Sequence, residues 1–135
     1  MRLGELVEGI DVDATVRAVA VSRIALGMSY LATPGLALRL WPGRPADSRP
    51  DAALLRMMAR HTGGRDVALG VGALLAQRHD APVRGWLEAA MLADTVDALS
   101  IVLAWRHLPR TKALLMLGAA LGAAVAGRQL ASAAG

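Results

Sequence analysis

Residues 113–127 read Ala113-Leu-Leu-Met-Leu-Gly-Ala-Ala-Leu-Gly-Ala-Ala-Val-Ala-Gly127, without one polar side chain. A helix on the surface of a soluble protein needs a polar face toward water, and this one would be apolar around its whole circumference. Such a helix is surrounded by protein or by lipid. Because a helix needs about 20 residues to cross the apolar core of a bilayer, the run and its flanks are long enough to span a membrane. We therefore expect a transmembrane helix here, with a buried helix of a soluble bundle as the alternative.

Three more apolar stretches of similar length precede this one, and the connections between them are short and rich in Pro, Gly and charged residues. Short connections join antiparallel neighbouring helices. The sequence therefore predicts an all-α fold, a bundle of four transmembrane helices that forms one domain over residues 1–135. The predicted spans cover about residues 17–40, 54–77, 86–105 and 113–131.

All three tryptophans lie at predicted span ends. Trp86 and Trp105 bracket the third span, and Trp41 closes the first. A helix that joins Trp86 to Trp105 is about 28 Å long, close to the thickness of the hydrocarbon core. Since Trp prefers the membrane–water interface, we expect these three side chains to be interface anchors.

Local signals predict how the N-terminal half begins and ends its helices. Apolar residues recur with helical spacing over residues 3–10, which predicts a short amphipathic N-terminal helix at the membrane interface. Asp13 is expected to cap the first span and Asp51 the second. The pair Pro34-Gly35 falls inside the first span and should kink it or end it early.

Composition excludes several classes of function. The chain is 55% hydrophobic with no Cys, so it is neither a disordered chain nor one with disulfides, thiolate nucleophiles or Cys-based zinc sites. His61, His79 and His107 stand singly, and no metal site or cofactor is predicted. Without a nucleotide-binding or hydrolase motif the sequence predicts no enzyme. The net charge of +4 suits membrane lipids better than nucleic acid, because no basic face carries interleaved aromatics.

Five charged residues fall inside the predicted spans two and three. A charge at the centre of a bilayer costs from about 2.5 kcal/mol upward, so such side chains face the bundle interior and find partners. We expect them to form a polar cluster, unless the second span begins only near Gly64 and its arginines are interfacial. The candidate residues are Arg60, Arg65, Asp66, Asp94 and Asp97.

Sequence spacing brings most of this cluster to one height. Asp94 and Asp97 are three positions apart and share a helix face. Arg65 lies at a similar depth on the neighbouring span, and its guanidinium can hold a carboxylate through two parallel bonds. Arg60 is expected to reach the site from about a turn and a half away. Asp66 points about 100° from Arg65 around the helix, toward another helix or the turn at Gly63-Gly64.

The arginines of the first span and four glycines have simpler interpretations. Arg17 and Arg23 are expected to lie near the membrane edge, where long side chains reach the interface. Gly63 and Gly64 would let the backbone bend or let another helix approach closely. For Gly118 and Gly122, packing within this chain is the simplest interpretation, with self-association as the alternative. The candidate helix-packing residues are Gly63, Gly64, Gly118 and Gly122.

Two segments together resemble a known kind of protein. Residues 60–75 begin Arg60-His-Thr-Gly-Gly-Arg-Asp, and residues 84–97 end Met-Leu-Ala-Asp-Thr-Val-Asp97. Gly-Arg-Asp in the second span and Asp-x-x-Asp in the third resemble the pattern of small bacterial four-helix integral membrane proteins of unknown function. The resemblance covers about residues 55–105. It implies a four-span protein of the bacterial cytoplasmic membrane and no particular activity.

Two better-known families fit poorly. CDP-alcohol phosphatidyltransferases need an Asp-Gly and an Ala-Arg before their paired aspartates, and these are lacking before Asp94. Small multidrug transporters rely on a Glu in the first span, which is also lacking here. Basic residues are slightly more frequent around the first and third connections, which the positive-inside rule places in the cytoplasm.

Three functions remain open on the sequence alone. The preferred one is a structural or accessory membrane protein, part of a homo-oligomer or a larger complex, in which the Arg–Asp network links spans two and three. The alternatives are a small proton- or ion-coupled transporter and a binder of lipid headgroups, both of which would use the same charged cluster.

Overall fold

A computed structural model describes residues 11–40 and 52–134. Over these residues the protein is all-helical, as predicted, and single 3-10 turns follow α2 and α4. The predicted N-terminal amphipathic helix, the Asp51 cap and Trp41 lie outside the described residues. The helices are α1 (Val12–Ala32), α2 (Pro34–Ala37), α3 (Ala52–Arg78), α4 (Arg84–Leu103) and α5 (Arg110–Ala133).

Helix α1 begins and ends earlier than the apolar stretch suggested. Asp11, rather than the predicted Asp13, is the N-cap, and its carboxylate accepts a hydrogen bond from the Ala14 N–H at 3.0 Å. At the other end the helix stops at Ala32, and Pro34 starts the short α2. Pro lacks the N–H that would continue the ladder and clashes with the preceding turn, so the early end predicted from Pro34-Gly35 is observed.

Helices α1 and α3 are antiparallel and pack along a seam with a period of seven residues. The Gln77 side chain donates to the Asp13 carbonyl at 3.0 Å, Gly70 lies against Ala20, and Gly63 lies against Gly27. Alternating steps of three and four residues keep one stripe of each helix toward the other. The seam consists of Val16, Ala20, Arg23, Gly27 and Tyr30 on α1 and of Ala59, Gly63, Asp66, Gly70 and Ala73 on α3.

Glycine makes this seam unusually close. A Cβ at Gly27 would lie 2.5 Å from the Gly63 carbonyl oxygen, and a Cβ at Gly63 would lie 2.5 Å from that of Gly27. A Cβ at Gly70 would lie 2.6 Å from the Ala20 carbonyl oxygen. Only residues without a side chain permit this approach of the two backbones.

Helices α4 and α5 form the second antiparallel pair, with Gly127 of α5 against Met91 of α4. The two pairs lie side by side and meet at both ends. At one end an apolar cluster joins all four long helices through Val16, Ala73, Leu87 and Ala131. At the other, the Lys112 ammonium at the start of α5 donates to the Arg39 carbonyl at 3.2 Å.

Among the described residues, α5 is the one helix long and apolar enough to cross a membrane by length and composition. Large apolar side chains are exposed on α5 and also on α1, α3 and α4. The other three long helices overlap the predicted spans one to three. Of these, α3 and α4 carry more charged residues than α5, and α1 carries as many. Whether they also cross a membrane depends on where those charges lie.

Candidate functional site

Five charged side chains from three helices form a continuous network between α1, α3 and α4. Along the network, Asp94 of α4 contacts Arg23 of α1, which contacts Asp66 of α3. Asp66 also contacts Arg65, and Arg65 contacts Asp97 of α4. The network therefore ties α1, α3 and α4 together, one helix more than the sequence predicted.

Arg23 is the charged residue that α1 contributes to the α1–α3 seam. Its Nη1 donates to Asp66 Oδ1 at 3.2 Å, and its Nη2 donates to Asp94 Oδ2. Asp66 and Asp94 are 5% and 6% exposed, so both carboxylates are almost removed from solvent. Buried carboxylates require such partners, because an isolated buried charge is far more costly than a paired one.

Arg65 and Asp97 form the more open end of the network. The guanidinium donates through Nη1 to Asp97 Oδ1 at 2.9 Å and through Nη2 to Asp97 Oδ2 at 2.8 Å. This two-point geometry fixes the relative height of α3 and α4. Arg65 Nη2 also reaches Asp66 Oδ1 at 3.3 Å, so a single oxygen of Asp66 accepts bonds from both arginines.

The network contains more negative than positive charge. Three aspartates face two arginines, which leaves a formal charge of −1 when all five groups are ionised. Loss of either arginine would make the formal charge of the network −2, whereas neutralisation of one carboxylate would bring it to zero. Arginine and aspartate substitutions should therefore have unequal effects.

The structure brings together four of the five predicted cluster residues and leaves one outside. Arg65 pairs with Asp97 as the spacing suggested, but the main partner of Asp94 is Arg23 rather than Arg65. Arg60 does not join the cluster, because its side chain is exposed and pairs with none of the described residues. From Arg65 it lies five positions, or about 140°, around the helix.

Arg23 is the residue that sequence reasoning missed. It was expected at a membrane edge, yet it lies at the centre of the α1–α3 seam. The spacing of three and four residues through Ala20, Arg23 and Gly27 is visible in the sequence and places all three on one helix stripe. An arginine on a stripe of small residues was the signal for a buried position.

The four candidate packing glycines behave differently. Gly63 lies in the close contact with α1, as described above, but a Cβ at Gly64 would have no atom within 4 Å. Gly118 and Gly122 are exposed, and a Cβ at either would also meet nothing within 4 Å. The prediction that Gly118 and Gly122 pack within the chain is therefore wrong for the part of it that the structure describes, and α5 uses Gly127 instead.

The two described tryptophans lie at opposite ends of α4. Trp86 lies in its first turn and packs its ring over Gly72 of α3. It also borders an open apolar groove of about 420 Å³, lined further by Ala68, Val71 and Leu75. Trp105 follows the last turn of α4. Among residues 11–40 and 52–134, no three His, Cys, Asp or Glu side chains are grouped to hold a metal ion.

Comparisons with protein-family models, curated proteins and solved structures found no match to this chain. The resemblance to small bacterial membrane proteins therefore rests on the sequence pattern alone. The charged network and the apolar surface carry the functional inference.

Proposed function

We propose that this chain is a multi-pass membrane protein of the bacterial cytoplasmic membrane with a structural or accessory role. In this role the Arg–Asp network holds its helices in register. One observation carries the proposal: charged side chains are buried and large apolar side chains are exposed, the reverse of the arrangement in a soluble protein. Asp66 and Asp94 are buried, whereas Leu103 and Leu115 are 77% and 70% exposed.

The outer surface supports a lipid environment. A Leu or Val side chain that leaves water gains about 1.5–3 kcal/mol, so large exposed apolar side chains on every long helix would be costly in water. Soluble monomers rarely expose apolar patches beyond a few hundred Å². On α4 and α5 the exposed Leu and Val side chains are Leu92, Val96, Leu99, Val102, Leu103, Leu114, Leu115, Leu121 and Val125.

The central charges of α1, α3 and α4 are compatible with a membrane location because they are paired. Asp94 and Asp97 are the acidic residues in the central part of α4, and each contacts an arginine of another helix. Intramembrane charges that face the interior and pair with one another avoid most of the cost of contact with lipid. These three helices can therefore cross the bilayer together with α5, as the four-span prediction requires.

The tight packing around Arg23 favours a structural role over transport. The space beside Arg23, lined by Ala20, Gly70, Leu87 and Ala90, measures about 10 Å³. That is room for about one water molecule and no larger solute. A network whose arginines each contact two carboxylates across three helices is suited to fixing helix positions.

Membrane insertion can be tested directly because the chain has no Cys. Single substitutions Ala81→Cys, in the α3–α4 turn, and His107→Cys, beyond α4, introduce one thiol at each end of α4. We expect the protein to resist alkaline carbonate extraction and each thiol to react with an impermeant maleimide from one side only, on opposite sides. Carbonate extraction of the protein, or labelling of both thiols from the same side, would contradict the proposal.

The unbalanced negative charge favours one second candidate, a small proton- or ion-coupled transporter. An odd carboxylate at the end of a buried network is suited to bind and release a proton or a small cation. This function requires flux in proteoliposomes that depends on a proton or cation gradient and is lost in Asp94→Asn. Absence of such flux in the wild-type protein would exclude it.

A further inference from the structure

The outer flank between α3 and α4 exposes the open end of the network. The side chains of Arg65 and Asp97 are 31% and 42% exposed, although their network neighbours are almost buried. Arg65 lies at the middle of α3, thirteen residues from either end. In the proposed membrane location this ion pair would face lipid near the bilayer centre, where charges are costly.

Small side chains border the pair on both helices. Ala68 lies one turn from Arg65, and Ala93 and Ser100 lie one turn to either side of Asp97. These side chains are too short to reach over a guanidinium or a carboxylate. The described part of the chain therefore leaves the pair partly uncovered, and a group from a neighbouring molecule can cover it.

The pair also retains unused hydrogen-bonding capacity. Arg65 Nη1 makes one bond, to Asp97 Oδ1, although a guanidinium nitrogen of this kind carries two N–H groups. Each Asp97 oxygen accepts one bond from Arg65, and a carboxylate oxygen can accept two. The flank thus offers a spare donor beside spare acceptors.

A second copy of the same chain complements this arrangement. Arg65 on α3 and Asp97 on α4 lie side by side at one height, since two parallel bonds join them. A twofold axis parallel to the helices places α3 of one copy opposite α4 of the other, so that Arg65 faces the partner's Asp97 and Asp97 faces the partner's Arg65. A twofold axis across the helices would bring like charges together instead, and these repel.

We propose that the α3–α4 flank is the contact surface of a parallel homodimer, in which the Arg65–Asp97 pairs of two copies form a ring of four alternating charges. The apolar groove beside Trp86, which runs along the same flank toward the α3–α4 turn, adds surface that the second copy buries. The proposal rests on the proposed membrane location, because lipid is what makes the uncovered pair costly.

The first test is disulfide cross-linking in native membranes. One tagged copy carries Ala68→Cys and a second, differently tagged copy carries Ala93→Cys, so only a contact between copies can link them. We expect rapid oxidation to join these two copies, because α3 of one lies beside α4 of the other. A matched control places the thiol at Ala119 on the exposed face of α5, where no cross-link is expected.

The second test uses charge. In the cross-linking background, Asp97→Arg gives each copy two cations on the flank, and Arg65→Asp gives each copy two anions. Each variant expressed alone should lose cross-linking at least about tenfold through like-charge repulsion. Co-expression of the two should restore it, and this restoration would also show that both fold.

Each outcome bears on a specific claim. Suppose that the protein with Arg65 and Asp97 unchanged cross-links no more through Ala68→Cys and Ala93→Cys than through a thiol at Ala119. The proposed dimer is then wrong, whether or not the charge variants accumulate. A monomer with a lipid retained at the flank in native mass spectrometry would also overturn it. Carbonate extraction of the same membranes separates the two proposals: a protein that stays in the membrane without cross-linking contradicts the dimer and leaves the proposed function intact.

Discussion

Arg23 of α1 and Asp94 of α4 are joined by an ion pair across 71 positions of sequence. Helix α1 packs along α3, and α4 packs along α5, so this bond connects one antiparallel pair to the other. The same arginine also contacts Asp66 in its own pair. Arg23 is therefore one of the residues that hold the two halves of the structure together, beside the Arg65–Asp97 pair.

Loss of Arg23 should be far more damaging than loss of Arg60. Arg23→Gln leaves Asp66 with one arginine and Asp94 with none, and an uncompensated buried charge costs about 3–5 kcal/mol. We expect a fall in the melting temperature in detergent of more than about 10 °C. Arg60→Gln removes an exposed cation that pairs with none of the described residues, and it should stay within about 0.5 kcal/mol of wild type. Equal losses in the two variants would contradict the central position of Arg23.

Neutralising Asp94 should be milder than removing its partner. Asp94→Asn keeps the side-chain shape and an oxygen that accepts from Arg23, and it removes the excess negative charge of the network. We expect the free energy of unfolding to fall by less than about 1.5 kcal/mol, the usual contribution of one hydrogen bond. Chemical unfolding of both variants in the same detergent compares them. A larger loss of stability for Asp94→Asn than for Arg23→Gln would contradict the expectation that the excess negative charge is unfavourable.

Adjacent glycines on α3 should respond to alanine in opposite directions. In Gly63→Ala the new Cβ would lie 2.5 Å from the Gly27 carbonyl oxygen, so the helices must separate and the protein should lose several kcal/mol. In Gly64→Ala the Cβ meets nothing within 4 Å, and the helix gains about 0.5–1 kcal/mol. Opposite shifts in melting temperature are expected. A similar loss in both would show that the α1–α3 seam is not this close.

The start of α1 offers a fourth prediction. Asp11→Ala removes the carboxylate that accepts the Ala14 N–H and should cost about 1 kcal/mol. Asp13→Ala is the matched control, since Asp13 is exposed, lies in the first turn and makes no cap bond. Hydrogen exchange at the first amides of α1 should quicken in Asp11→Ala only. Faster exchange in Asp13→Ala alone would show that Asp13 is the N-cap, as the sequence predicts.

The helices could be predicted from the sequence because their lengths follow from long apolar runs and from Pro34. Both of these signals act locally. It also brought Arg65 to Asp97, since the short turn between α3 and α4 makes these helices antiparallel neighbours and fixes their relative height. It missed Arg23 and Asp94 because that pair joins helices that are not consecutive. Which face of α1 turns toward α3 depends on Gly27 and Gly63, whose close approach appears only when both helices are placed.

Gly118 and Gly122 show the opposite limit. Their spacing permits close packing, but whether a partner helix uses that face depends on the three-dimensional arrangement rather than on the motif. In the structure α4 packs against the stripe that contains Gly127, and the Gly118–Gly122 face remains exposed. A small-residue pattern thus indicates where a helix can pack, and the surrounding fold decides where it does.

The central claim is that a buried ion pair couples the two halves of the protein. A double-mutant cycle in lipid bicelles, with Arg23→Gln, Asp94→Asn and the combined variant, measures this coupling. We predict that the double variant loses less stability than the sum of the single losses, by about 1–3 kcal/mol. Additive losses, within about 0.5 kcal/mol, would contradict the claim.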